Sequence, residues 1–312
     1  MTFPNTPDRD PDLRSAAVRH PYERSRLTLA MCCMAIIVPL MVAIMTQFPL
    51  YVLAILLFVG AYWFHLRLGK ARLLGRAIKV TPESFPALHA ELAGLQRKLD
   101  YHRTVDVYVA DEVEGKVAMT NLLGTRVLLI EGSIAADLQE EGPKPLRFVL
   151  GGFIGSLKAR HQRLAVAVII LDYMKWTRFI NPWIRPYYRA SEYTCDQIGY
   201  LCSGSLDASL GAIARLAVGK EMAPEMSPSG VLAQAHRVGR DLLPRFSQLS
   251  QDSPHLVNRY VNLVAFAARV RRADFERFQA SLNAHDQSLL RDLLIQSPHP
   301  RQAGAIPQPA AR

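Results

Sequence analysis

Glu192 and Asp196 stand four residues apart in Arg189-Ala190-Ser191-Glu192-Tyr193-Thr194-Cys195-Asp196-Gln197-Ile198-Gly199. On a helix that spacing puts both carboxylates on one face, where they can accept protons or hold cations, or pair with a neighbour such as Arg189 on a solvated face. Cys195 and Cys202 are seven apart and share a face of the same predicted helix; with Cys32 and Cys33 inside an apolar run, they read as buried small side chains in a reducing compartment rather than a disulfide framework. Upstream, Gly151, Gly152, Gly155 and Ser156 give small-x-x-x-small spacing, which lets a second helix approach closely. Each glycine costs a helix up to about 1 kcal/mol relative to alanine, so the pattern predicts close packing that offsets the loss.

Two segments resemble the HtpX-like membrane zinc metallopeptidases. Leu146-Arg147-Phe148-Val149-Leu150-Gly151-Gly152-Phe153-Ile154-Gly155-Ser156 is similar to that family's L-x-F-V-L-G-H-E-L-G-H, and the Arg189–Gly199 segment is similar to its R-A-x-E-Y-x-A-D-R-x-G. Leu206–Gly219 and Ser253-Pro254-His255-Leu256-Val257-Asn258-Arg259 look like its later elements, the second with His and Pro in inverted order. The resemblance covers most of residues 80–280. It implies a zincin-like domain in which two His and a downstream Glu bind zinc, a second Glu is the base, and an Asp supports the site. Carried over by position, the His places are Gly152 and Ser156, the base place is Phe153, the third ligand is Glu192 and the supporting residue is Asp196.

The substituted residues remove that chemistry. Glycine offers no ligand atom, a serine hydroxyl is a weak zinc donor, and a phenyl ring accepts no proton from a metal-bound water. One carboxylate does not hold zinc where three or four protein ligands are needed. His161 follows Gly152 by nine residues and Ser156 by five, about 180° and 140° away around an ideal helix. His255 is the better substitute, because the corresponding family region packs near the active site. The expectation is no cofactor, with zinc only if relocated ligands such as Glu192 and His255 complete a site.

The elements that must position these residues begin in a membrane. Leu27–Met45 and Phe48–Leu66 are each nineteen residues without Asp, Glu, Lys or Arg, close to the roughly 20 needed to cross a ~30 Å hydrocarbon core. The junction Thr46-Gln47-Phe48-Pro49 is a tight turn. Arg9, Arg14, Arg19, Arg24 and Arg26 precede the pair and Arg67, Lys70, Arg72, Arg76 and Lys79 follow it, which predicts both termini and the main domain on the cytoplasmic side of a cell membrane, of the bacterial inner-membrane kind. Residues 1–80 hold ten Lys/Arg and four Asp/Glu, so +6 of the net +10 is juxtamembrane. Anionic headgroups, not nucleic acid, are the expected electrostatic partner.

Beyond the hairpin, Thr81-Pro82-Glu83 predicts a helix start with Thr81 as N-cap, followed by the stripe Leu88, Leu92, Leu95, Leu99. Val105–Val109 and Arg126–Ile130 predict strands, with a polar loop between them around Glu114, Gly115 and Asn121. Helices then run to the end, broken near Gly142-Pro143, Asn181-Pro182, Ser203-Gly204 and Ser227-Pro228-Ser229-Gly230. Leu164–Leu171 is too short to span a bilayer, though Trp176, Trp183, Tyr187 and Tyr188 suit a membrane interface. The expected organisation is a basic segment (1–26), a transmembrane hairpin (27–66), a basic linker (67–80), a peptidase-type domain (81–296) and a disordered tail (297–312). The fold class is α+β, mostly helical, a zincin-like metallopeptidase domain behind a two-helix transmembrane hairpin. The functional expectation is a pseudoprotease that binds peptides or membrane-protein clients at the bilayer. Its competitors are a divergent zinc endopeptidase and a purely structural scaffold.

Overall fold

A computed structural model describes residues 18–47, 49–111, 113, 116–122, 125–159, 181–240 and 253–296. Two long helices come first, α1 (Glu23–Thr46) and α2 (Pro49–Arg76), with Gln47 and Phe48 between them. The tight turn expected at Thr46–Pro49 therefore falls where these helices meet. Phe48, the first residue of the second apolar run, lies outside the described set, and among the described residues no helix is long and apolar enough to cross a membrane. Helix α2 continues through the basic residues to Arg76, so most of the expected linker is helical.

The chain then forms β1 (Ala77–Lys79), α3 (Pro86–Lys98), β2 (Asp106–Ala110), β3 (Val117–Leu122) and β4 (Thr125–Glu131). Their order in the sheet is β1-β2-β4-β3. Strand β2 is antiparallel to β1 and parallel to β4, while β3 and β4 make an antiparallel pair that sets Asn121 opposite Arg126. Asn121 thus belongs to a strand rather than to the expected loop, because pairing with β4 extends β3 as far as Leu122.

The expected helix start at Thr81-Pro82-Glu83 is four residues early. Ser84 Oγ donates to the Lys79 carbonyl (2.6 Å) and accepts from the Thr81 N–H (2.9 Å), closing a separate turn. Phe85, immediately before Pro86, is held extended (φ −139°, ψ 74°). A residue preceding proline is disfavoured in the helical region, so the turn cannot propagate into α3. The predicted stripe itself is correct: Leu88, Leu92, Leu95 and Leu99 are all buried.

The rest is helical: α4 (Gly132–Glu140), α5 (Pro143–Ala159), α6 (Asn181–Ser203), α7 (Leu206–Val218), α8 (Pro228–Arg240), α9 (Leu256–Val270), α10 (Arg272–Ala280) and α11 (Ala284–Gln296). The predicted breaks at Gly142-Pro143, Ser203-Gly204 and Ser227–Gly230 fall at helix boundaries, and the residues before Asn181 lie outside the described set. The described structure is a mostly helical α+β fold with a small sheet. Leu164–Leu171, His161, Trp176, residues 1–17 and the 297–312 tail lie outside the described residues.

Helix α5 is the centre of the fold. Every residue from Leu146 to Leu157 except Arg147 is buried, and α5 touches α3, α4, α6 and α7, as expected of a helix apolar nearly all round. Among the described residues its contact with α6 is the most extensive between two elements, and glycines meet there. A Cβ built on Gly151 would lie 2.5 Å from Cys202 Cβ, on Gly155 2.5 Å from Ile198 Cγ2, and on Gly199 2.5 Å from the Phe148 carbonyl oxygen. Gly94, in α3, has nothing within 4 Å. Gly199→Ala should therefore destabilise the protein by about 1–3 kcal/mol or more, since the atom in the way is backbone. Gly94→Ala should stabilise it by about 0.4–1 kcal/mol. Thermal unfolding of both variants in the same detergent checks the contrast.

Candidate functional site

Alongside the close α5–α6 contact lies a cavity of about 540 Å³. Helix α5 supplies Phe148, Val149, Gly152 and Phe153; α6 supplies Glu192, Cys195 and Asp196; α7 supplies Ile213, Leu216 and Ala217. Ser253, Pro254, Leu256 and Arg259 close another side, and Val117 of β3 and Leu128 of β4 bring the sheet to the rim. The two segments singled out in the sequence thus share one cavity, although Gly152 and Glu192 are forty residues apart in the chain.

The metal positions do not reassemble a ligand set. A Cβ on Gly152 would lie 3.0 Å from the Cys195 carbonyl oxygen, so a larger side chain there would have to push α5 and α6 apart. Ser156 is fully buried and is not part of the cavity lining. Phe153 lines the cavity and is 4 % exposed, an apolar wall where a base would be required. His255 is the N-cap residue of α9; its neighbours Pro254 and Leu256 line the cavity and it does not. Among the described residues no group of three or more His, Cys, Asp and Glu side chains is placed to hold a metal ion. The described residues do not fit zinc.

The carboxylates have been given other work. Ser253 Oγ donates to Glu192 Oε1 at 2.7 Å, tying α6 to the segment before α9. Asp196, 3 % exposed, receives two hydrogen bonds from Arg259, from Nε to Oδ2 at 2.9 Å and from the other guanidinium nitrogen to Oδ1 at 2.7 Å. Burial acts to lower the Arg259 pKa, but the adjoining Asp196 carboxylate outweighs it and holds the guanidinium above its ordinary value. The paired, two-pronged geometry fixes α9 on α6. Burial pushes the Cys195 thiol well above its usual pKa, and the nearby Asp196 and Glu192 charges add to that.

The opposite face of α6 holds the start of the chain. Thr194 Oγ1 accepts from the His20 N–H (3.0 Å) and donates to Glu23 Oε2 (2.5 Å), and the His20 ring stacks on Tyr193 with centroids 5.0 Å apart. Val18, His20 and Glu23 are buried. This staple, and the roles of Ser253 and Arg259, were not readable from spacing: each joins residues 60 or more positions apart, and Thr194 is an ordinary polar residue in the motif. Comparison with family models, with curated proteins and with solved structures finds no significant match for this chain.

Two outcomes follow from the geometry. Arg259→Ala leaves Asp196 buried and uncompensated, so it should cost about 3 kcal/mol, the low end for broken buried pairs because Arg259 keeps some exposure. Pairing it with Asp196→Asn should recover part of that loss, which a double-mutant unfolding cycle measures. Cys195 should resist iodoacetamide at pH 8, where a raised pKa leaves little thiolate; mass-spectrometric mapping against an unstructured cysteine peptide reads the difference, and equal labelling would refute it.

Proposed function

We propose that the chain is a membrane-anchored homologue of the HtpX-like metallopeptidases that has lost hydrolysis and acts by binding polypeptide in the α5–α6 cavity. The observation that carries this reading is the survival of an open cavity whose metal positions are closed. Gly152 is packed on the Cys195 backbone, and Phe153 walls the cavity where the base would stand, yet about 540 Å³ remains between α5, α6, α7 and the sheet. A scaffold without a binding role would be expected to fill that space, since apolar interiors pack to few voids larger than a water molecule.

The rim suits an extended chain. Strand β3 is outermost in the sheet order and pairs with β4 on one side. A polypeptide laid along its other side would gain main-chain hydrogen bonds and could send a side chain past Val117 into the cavity. The cavity wall is mostly apolar, with Glu192, Ser253 and Arg259 as the polar groups that would orient such a side chain.

Anchoring rests on the two uncharged nineteen-residue runs and their basic flanks. Large apolar side chains are exposed along both helices: Ile36 69 %, Leu40 57 %, Leu56 65 %, Leu57 67 % and Phe64 64 %. Contiguous apolar surface of that kind calls for lipid or a partner. On this reading both termini and the helical body face the cytoplasm of a bacterial-type inner membrane.

Metal analysis tests the loss of hydrolysis. The purified, detergent-solubilised protein should carry no stoichiometric zinc, Glu192→Ala should leave its metal content unchanged, and an unfolded polypeptide incubated with it and added zinc should stay intact. Close to one zinc per chain, lost in Glu192→Ala, together with zinc-dependent cleavage, would establish a working peptidase instead.

A further inference from the structure

Of the described residues that line the α5–α6 cavity, three carry charge: Glu192, Asp196 and Arg259. Asp196 and Arg259 neutralise one another through their two-pronged pair, so the balance over these lining residues is one negative charge, carried by the Glu192 carboxylate. The hydrogen bond it receives from Ser253 comes from a neutral hydroxyl and leaves that charge in place. Neighbouring groups register the same sign. Burial first, then Asp196 and Glu192, push the Cys195 thiol up; at Arg259, where burial acts to lower the pKa, Asp196 and then Glu192 raise it. A carboxylate has about four acceptor positions, so a donor arriving on a ligand adds to the partners Glu192 already has. The remaining wall is largely apolar, with Phe148, Phe153, Ile213 and Leu216 among its residues. Such walls screen a charge less than bulk water does, which strengthens attraction to an opposite charge and repulsion of a like one.

We propose that the polypeptide side chain received by this cavity is cationic, a lysine or arginine whose aliphatic stem lies on the apolar wall and whose charged head meets Glu192. The inference rests on the polypeptide-binding reading above and adds to it the class of residue that is selected. At about 540 Å³ the cavity far exceeds the ~10–15 Å³ that one water needs, so a long side chain enters without displacing protein atoms. Lysine and arginine have the form the walls require, an apolar stem ending in a charge. A purely apolar side chain gains the walls but strips water from Glu192 and gives nothing in return. An acidic one meets a repelling charge as well. Arginine can also make with Glu192 the two-pronged contact that Arg259 makes with Asp196. In an added strand the residues on either side of the entering one point to the opposite face, so the selection falls on a single position.

Peptides test this directly. Acetylated, amidated peptides of one uncharged, strand-forming host sequence carry lysine, arginine, norleucine or glutamate at a single central position. Each is titrated with the full-length protein in detergent, and the anisotropy of a fluorophore on the peptide gives its affinity. The lysine and arginine peptides should bind on the order of tenfold tighter than the norleucine peptide, which has an apolar stem and no charge, and the glutamate peptide should bind weakest. Raising the salt concentration should shrink the lysine preference. Glu192→Gln keeps an acceptor for Ser253 and removes the charge, so it should bring the lysine and norleucine peptides to equal affinity. Equal binding of those two by the unsubstituted protein, or a lysine preference that survives Glu192→Gln, would overturn this inference and leave polypeptide binding standing. If Glu192→Gln does not fold, the salt response of the unsubstituted protein decides: a lysine preference indifferent to salt overturns the inference. Binding of none of the four peptides would overturn the polypeptide reading as well.

Discussion

The close approach of α5 and α6 is the constraint on which the rest of the structure depends. Gly151 and Gly155 on one helix and Gly199 on the other leave no room for a Cβ. Glycine in a helix interior costs conformational entropy, so three of them at one contact are sustained only by the packing they permit. That contact fixes the rotation of α6 about its axis. Once the Gly199 edge of α6 is pressed on Phe148, Cys195, Asp196 and Glu192 must border the cavity and Thr194 must face α1.

The two faces of α6 consequently serve different ends. One bears the Asp196–Arg259 pair and the Glu192–Ser253 hydrogen bond, which hold α9 and the segment before it around the cavity. The other bears Thr194 and Tyr193, which hold the start of the chain, and Ile184 and Tyr187, which hold α1. The Glu192 and Asp196 carboxylates, at i and i+4, are elements of packing and closure.

Much of this architecture was legible in the sequence, for reasons tied to particular residues. Gly142-Pro143, Ser203-Gly204 and Ser227–Gly230 mark helix boundaries because glycine and proline act locally. The stripe from Leu88 to Leu99 and the small residues of α5 also carried their meaning in their spacing. Strands β1 and β3 did not: Ala77-Ile78-Lys79 is too short to show alternation, and Val117-Ala118-Met119 mixes strand and helix formers, so pairing with β2 and β4 decides them. The same holds for the site. Glu192 and Asp196 were visible as a pair, but Ser253 and Arg259 reach them only through the fold, and His255, on the same segment, stays out of the cavity lining. The burial of Val18, His20 and Glu23, within a stretch that reads as a basic tail, likewise depends on a partner more than 170 residues away.

That the cavity receives an extended polypeptide is the central claim, and amide hydrogen exchange of the full-length protein tests it most directly. With a saturating unstructured peptide library present, the amides of β3, Val117–Leu122, should exchange more slowly than without it, while those of α10, which supplies no residue to the cavity lining, should not change. Unaltered exchange along β3 at saturating peptide would contradict the account.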